Sequence, residues 1–163
     1  MFQEVTAIWL GVRGRETTRL PAMQIAIATT DEEIAATYDV MAQLRPHISR
    51  DEYVPFVRRL IANERFHLAA LSDDGVVRAV AGYRVMEMLF CGRMMYIDDL
   101  VTDERVRSRG YGKALVEWLK AEARRLACTE VQLISRVTRE EAHRFYFRED
   151  FGIEAFHFRA KLT

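Results

Sequence analysis

The chain predicts an α/β (α+β) domain: a mixed, mostly antiparallel central sheet flanked by about four helices. Three observations carry this. Strand-like and helix-like runs alternate in the order β-α-α-β-β-β-α-β-α-β. Three Ser/Thr-x-x-Glu sequences mark helix starts. The 163 residues, 50% hydrophobic and 29% charged, have the size and composition of one soluble domain with a real core.

Residues 1–22 precede that pattern. Phe2, Val5, Ile8 and Trp9 form a weak helical stripe, and the segment reads either as an accessory element or as an extension upstream of a start at Met23. The single domain then spans 23–163. Met23 to Ala28 reads as a strand. Thr30-Asp-Glu-Glu33 is a capping box opening a helix with Ile34, Tyr38, Met41 and Leu44 on one face, ended by Arg45-Pro46. Ser49-Arg-Asp-Glu52 opens a second, with Tyr53, Val57, Leu60 and Ile61 as its stripe and Pro55 early inside it.

Strands follow at Phe66 to Leu71, Val76 to Met88 and Arg93 to Thr102. Asp73-Asp-Gly75 forms a hairpin turn and Gly82 marks a bulge, so the three strands make an antiparallel meander. Gly110 to Ala127 is a helix whose Arg124 and Arg125 suit its C-terminal dipole. Glu130 to Ser135 reads as a buried strand. Thr138-Arg-Glu-Glu141 opens a last helix with Ala142, Phe145 and Tyr146 inward, and Phe151 to Leu162 supplies the final strand or two.

Lys plus Arg equals Asp plus Glu, 24 each, which argues against a general nucleic-acid binder. The two cysteines, Cys91 and Cys128, make no disulfide framework and no metal motif. The four histidines (His47, His67, His143, His157) show no ligand spacing, so no metal is expected. No apolar run spans a bilayer, Glu4 interrupts any signal-like stretch, and Glu4 with Glu16 spoils a transit pattern. A cytoplasmic protein with no membrane partner is expected. Met86, Met88, Met94 and Met95 read as core filler of the central strands.

The chemistry concentrates in Asp98-Asp-Leu-Val-Thr-Asp-Glu-Arg-Val-Arg-Ser-Arg-Gly-Tyr-Gly-Lys113. A strand ends near Thr102, and Arg107-x-x-Gly110-x-Gly112 then runs into a helix. The first amides of a helix lack internal partners, and the dipole's positive end faces the same way, so this arrangement holds phosphate. Glycines admit close approach, and Arg107, Arg109 and Lys113 add charge. The P-loop pattern fails, because only Tyr111 separates the glycines and Ala114 follows Lys113. The dinucleotide fingerprint fails, because Leu115 stands where its third glycine belongs.

Arg107-x-x-Gly110-x-Gly112 after an acidic-Leu-x-x-Asp strand resembles the coenzyme-A motif of the GNAT superfamily of N-acetyltransferases. Ala142-His-Arg-Phe-Tyr146-x-x-x-Asp-Phe-Gly152 resembles that superfamily's closing signature. The resemblance covers about 140 residues. It implies the GNAT-like acyl-CoA N-acyltransferase fold, with acetyl-CoA as co-substrate in the gap between the strand ending at Thr102 and the strand Glu130–Ser135. Pantetheine would pair with backbone at Leu100, Val101 and Thr102, and the pyrophosphate would sit on amides of Ser108, Arg109, Gly110, Tyr111, Gly112 and Lys113. The sequence departs from the family in carrying Thr102 where valine is usual and in placing Gly152 after Phe151. It also lacks an asparagine early in the last helix, where Thr138 is nearby.

The resemblance further implies direct transfer to a primary amine of a small molecule or peptide in a ternary complex. Backbone N–H near Val101 would hold the thioester oxygen. Tyr146 is the expected acid for the departing thiolate, and a phenol of ordinary pKa ~10 needs a site that lowers its pKa or stabilises the product. Asp98, Asp99 and Glu87 are candidates for the base, and alternation along a strand allows only one of the two aspartates into a cleft. The family's acidic position picks Asp99. The alternative is a non-catalytic CoA-binding sensory or regulatory module. A homodimer follows by analogy, and no acceptor is legible.

Overall fold

The computed structural model describes residues 23–162, so the expectations for residues 1–22 lie outside the described residues. The order is β1 (Gln24–Ile27), α1 (Asp31–Ala36), α2 (Tyr38–Met41), α3 (Arg50–Glu64), β2 (Phe66–Asp73), β3 (Val76–Met88), β4 (Gly92–Thr102), a 3-10 turn (Glu104–Val106), α4 (Tyr111–Arg125), β5 (Glu130–Leu133) and α5 (Glu140–Arg148). The strands form one sheet in the order β1-β2-β3-β4-β5. The first four pair antiparallel, and β5 joins β4 in parallel.

Two of the three capping boxes form. The Thr30 hydroxyl accepts from the Glu33 amide at 3.2 Å while the Glu33 carboxylate accepts from the Thr30 amide at 3.0 Å, and Ser49 and Glu52 repeat the pair. The Thr138–Glu141 box does not form. A turn from Arg136 to Arg139, closed by the Arg139 amide on the Arg136 carbonyl, delays α5 to Glu140, and Arg139 caps it without a side-chain bond.

The single helix expected after Thr30 is broken at Thr37. The buried Thr37 hydroxyl bonds the Ile34 carbonyl and the Tyr53 hydroxyl, both at 2.7 Å, and so turns the backbone while anchoring α1 to α3. Pro55 sits inside α3 without ending it.

Two apolar layers sandwich the sheet. Leu71, Ala81, Tyr83, Met95 and Ile97 meet Leu115 and Leu119 of α4 on one face. Leu68, Val80 and Val101 meet Ile34, Val40, Met41, Tyr53 and Val57 of the α1–α3 layer on the other. Met94 and Met95 are core, whereas Met88 is exposed.

The expected final strand is absent: residues 151–162 carry no strand. Among the described residues nothing pairs with the outer edge of β5, and Phe156 and Phe158 are 85% and 90% exposed. Alternation is present in Phe156, Phe158, Ala160 and Leu162, but alternation makes a strand only where a second backbone supplies hydrogen bonds. No helix among the described residues is long and apolar enough to cross a membrane.

Candidate active site

β4 and β5 part company in mid-sheet. Their parallel register runs from Met94↔Glu130 to Ile97↔Leu133 and stops. From Asp99 to Thr102 β4 continues to pair with β3, so its other edge faces a gap. A bulge accompanies the divergence: Gly82 opposes Asp99 while Tyr83 opposes Ile97, leaving Asp98 as the extra residue. Gly82 is required there, because a Cβ would lie 2.5 Å from the Phe66 ring and 3.1 Å from Asp99 Oδ2.

The bulge corrects the expectation that only one aspartate faces the cleft. Both carboxylates lie on the α1–α3 side. Arg84, which also reaches Glu64 of α3, donates from Nε to Asp98 Oδ2 at 2.7 Å. Arg45, in the connection between α2 and α3, donates from Nε to Asp99 Oδ1 at 2.6 Å and from Nη2 to the Asp98 carbonyl at 3.2 Å. Burial pushes the Asp98 carboxyl above its ordinary value against the opposing pull of Arg84. Glu87 is not part of this group. It stands at the far end of the β3–β4 hairpin, exposed, with Arg93 at 3.4 Å.

Beyond β4, Asp103 is fully buried and fastens the loop. It accepts from the Arg105 guanidinium and amide and from Gln43 Nε2, and the Arg105 bonds hold its pKa down to about 2. Gln43 Oε1 accepts from the Glu104 amide at 2.9 Å, tying this loop to the α1–α3 layer.

Ser108 and Gly110 both adopt left-handed φ, +65° and +86°, just before α4 begins. Gly110 caps α4 without any side-chain bond, so the Tyr111, Gly112 and Lys113 amides are open. Gly112 allows contact of another kind: a Cβ there would meet Thr102 Oγ1 at 3.0 Å and the Phe145 ring at 3.5 Å. Among the described residues Arg107 and Arg109 make no ion pair, and Lys113 only approaches Glu117 at 3.7 Å. The Tyr111 side chain turns inward, its hydroxyl donating to Asp73 at 2.6 Å, so only its amide belongs to the cradle.

α5 carries Phe145 over Gly112 and Thr102, with Tyr146 beside it at 5.6 Å between ring centroids and Phe151 beyond at 5.9 Å. Burial pushes the Tyr146 phenol up, partly offset by Arg139, which leaves stabilisation of the product as the route by which it could act as an acid. His143 is structural, bonded to the Arg136 carbonyl at 2.9 Å. No cluster that would hold a metal occurs among the described residues. Two surface depressions, one along α3 near His47 and Phe56 and one around His67 and Arg125, are lined by none of the residues of the β4 edge or the start of α4.

In sequence Arg45 is only one of several charges on the expected acceptor-site wall, and Arg84 carries no signal of a site role. Their partners are 54 and 14 positions away, and only the folded α2–α3 connection and the β3–β4 register bring them together.

A sheet split beside an open, cationic helix start defines a GNAT-type acyltransferase. The model of the Acetyltransferase (GNAT) family matches residues 27–153, and the chain belongs to that family. It is 34% identical over 132 residues to the uncharacterized N-acetyltransferase YhdJ of Bacillus subtilis (strain 168), covering 80% of this chain and 93% of that one. It is 25% identical over 141 residues to the aminoalkylphosphonate N-acetyltransferase of Salmonella typhimurium (strain LT2), covering 86% and 90%. In fold it resembles the aminoglycoside N-acetyltransferase AAC(6')-Iy solved in complex with CoA, with TM-score 0.76, 15% identity and 89% and 98% coverage.

Proposed function

We propose that this chain transfers the acetyl group of acetyl-CoA to a primary amine by direct attack in a ternary complex. The observation that carries the reading is the unpaired edge of β4 from Asp99 to Thr102, leading straight into the open amides at the start of α4. A peptide-like pantetheine arm supplies the donors and acceptors that the β4 edge lacks at Leu100, Val101 and Thr102. Its pyrophosphate fits the amides from Ser108 to Lys113, with Arg107, Arg109 and Lys113 around it.

The proton balance assigns the remaining roles. An ammonium gives one proton to a carboxylate of the Asp98–Asp99 pair and attacks the thioester carbon. The N–C bond forms, the oxygen charge rests on backbone N–H near Val101, and the C–S bond breaks. The thiolate takes a proton from Tyr146, the nitrogen's second proton restores the Tyr146 phenol, and the proton held by the aspartate leaves to solvent. Asp99 matches the family's acidic position, and Asp98, its carboxyl already raised by burial, is the readier proton acceptor. A raised phenol pKa keeps Tyr146 protonated well above neutral pH, and phosphates and thiolate arriving beside it do not change that direction.

Steady-state acetylation of an amine panel tests this. Tyr146→Phe should lower kcat by about 100-fold or more, the scale of lost general acid catalysis, with little change in KM for acetyl-CoA. Tight acetyl-CoA binding with no turnover of any amine would favour a sensory or regulatory module instead. A homodimer forms part of the reading, supported by the unpaired edge of β5 and the exposed segment after α5. A monomer mass in light scattering would remove it.

A further inference from the structure

Four charges meet at the split in the sheet, Arg45 with Asp99 and Arg84 with Asp98. Arg84, Asp98, Asp99 and Arg45 have side chains 25%, 21%, 15% and 41% exposed, so the two carboxylates have lost most of their hydration. Desolvating ions is costly, and such pairs are weak stabilisers. Half-buried charges that keep unfilled hydrogen-bonding capacity beside a split in the sheet point instead to a ligand.

Each group also has unused capacity. Among the described residues, Asp98 Oδ1, Asp99 Oδ2 and Arg45 Nη1 have no hydrogen-bond partner. Arg45 offers the Nη1 end of its fork, a free nitrogen whose N–H groups can donate to a carboxylate or phosphonate. Two acceptor oxygens and one free donor nitrogen thus lie within a single cluster, next to the β4 edge that leads to Leu100.

We infer that this cluster is the acceptor subsite and that the acceptor is a small zwitterion, an amine carrying its own carboxylate, phosphonate or phosphate. This rests on the acetyltransferase reading above. The ammonium takes the two free aspartate oxygens, and the acceptor's anion takes Arg45, loosening its hold on Asp99. A dicationic amine would satisfy the aspartates but place its second charge against Arg45. A simple alkylamine would leave the fork unpaired. The site therefore selects against both.

The test is calorimetric titration of wild type, saturated with CoA, using β-alanine, 3-aminopropylphosphonate, propylamine and 1,3-diaminopropane, with steady-state acetylation of the same four. The two zwitterions should bind and turn over at least about tenfold better than the other two, the scale of one charge-assisted hydrogen bond. Arg45→Met should erase that preference while leaving affinity for acetyl-CoA unchanged, and Arg45→Lys should restore part of it. Equal or better use of propylamine or 1,3-diaminopropane by wild type would overturn the proposal. So would an Arg45→Met enzyme that loses all four amines equally, since that is the signature of a structural ion pair. Failure of the wild type to bind acetyl-CoA would instead strike at the acetyltransferase reading beneath it, so the two failures are distinguishable.

Discussion

Asp98 and Asp99 show how much one extra residue in a strand can decide. Without the bulge opposite Gly82, β4 would send them to opposite faces, and the expectation that one is lost to the cleft would hold. With it, both meet arginines of the same side and divide the work. Asp99, held through Oδ1 by two nitrogens of Arg45, is a fixed anchor, and Asp98 is the group whose proton affinity burial has raised. Because the raised carboxyl must be ionised to act, activity should fall as pH drops through a value above the ordinary carboxylate ~3.9. In a pH–kcat profile, Asp98→Asn should abolish that acid limb, whereas Asp99→Asn should chiefly raise KM for the amine. The alkaline limb, if set by Tyr146, should lie above ~10, since burial raises that phenol. A limb near neutral pH that Tyr146→Phe removes would contradict the assignment.

Asp103 carries the opposite shift. Its folded pKa of about 2 lies below the ordinary 3.8, so its contribution to stability is present above 3.8 and is lost as pH falls toward 2. Asp103→Asn should lower stability at pH 7 by roughly 1–3 kcal/mol, as expected for partners left unsatisfied in a buried site, and should flatten the acid side of the stability profile between those values. Chemical denaturation at several pH values measures both.

At the scale of elements, the sequence was most legible where a local device fixes the backbone. The capping boxes at Thr30 and Ser49, the Asp74–Gly75 turn with φ of +52° and +73°, and Gly110 at the start of α4 all act through near neighbours. Reading failed where a distant partner intervenes. Thr37 breaks a helix because Tyr53 lies across from it, and the Thr138 box loses to a turn that bonds the Arg139 amide elsewhere. Of the three site glycines, Gly110 is conformational and Gly82 and Gly112 are steric; the bulge at Gly82 was legible in sequence, but its close approach to Phe66 was not. Gly82→Ala should cost about 1–3 kcal/mol, the usual penalty for overpacking, because Phe66 must move and Asp99 lies next in line. Thermal unfolding would register the loss, and an unchanged Tm would mean that Phe66 repacks freely.

For the whole molecule, the split sheet is the organising feature. The α1–α3 layer supplies the arginine and glutamine that hold β4 and its following loop, and α4 supplies the open amides of the proposed anion site on the opposite face. Zero net charge in the chain coexists with a local group of Arg107, Arg109 and Lys113, so overall composition is silent about the polyanionic ligand proposed there. The segment after α5 was misread for a related reason. Its alternation reports what a strand would need, and no backbone among the described residues meets that need.

The central claim is that the β4 edge and the start of α4 hold an acyl-CoA. Calorimetric titration of acetyl-CoA into wild type and into Arg107→Ala/Lys113→Ala tests it most directly. Micromolar binding by wild type, weakened about tenfold or more by the double change, is the expected result. Folded wild-type protein that gives neither heat nor thermal stabilisation with acetyl-CoA would contradict the account.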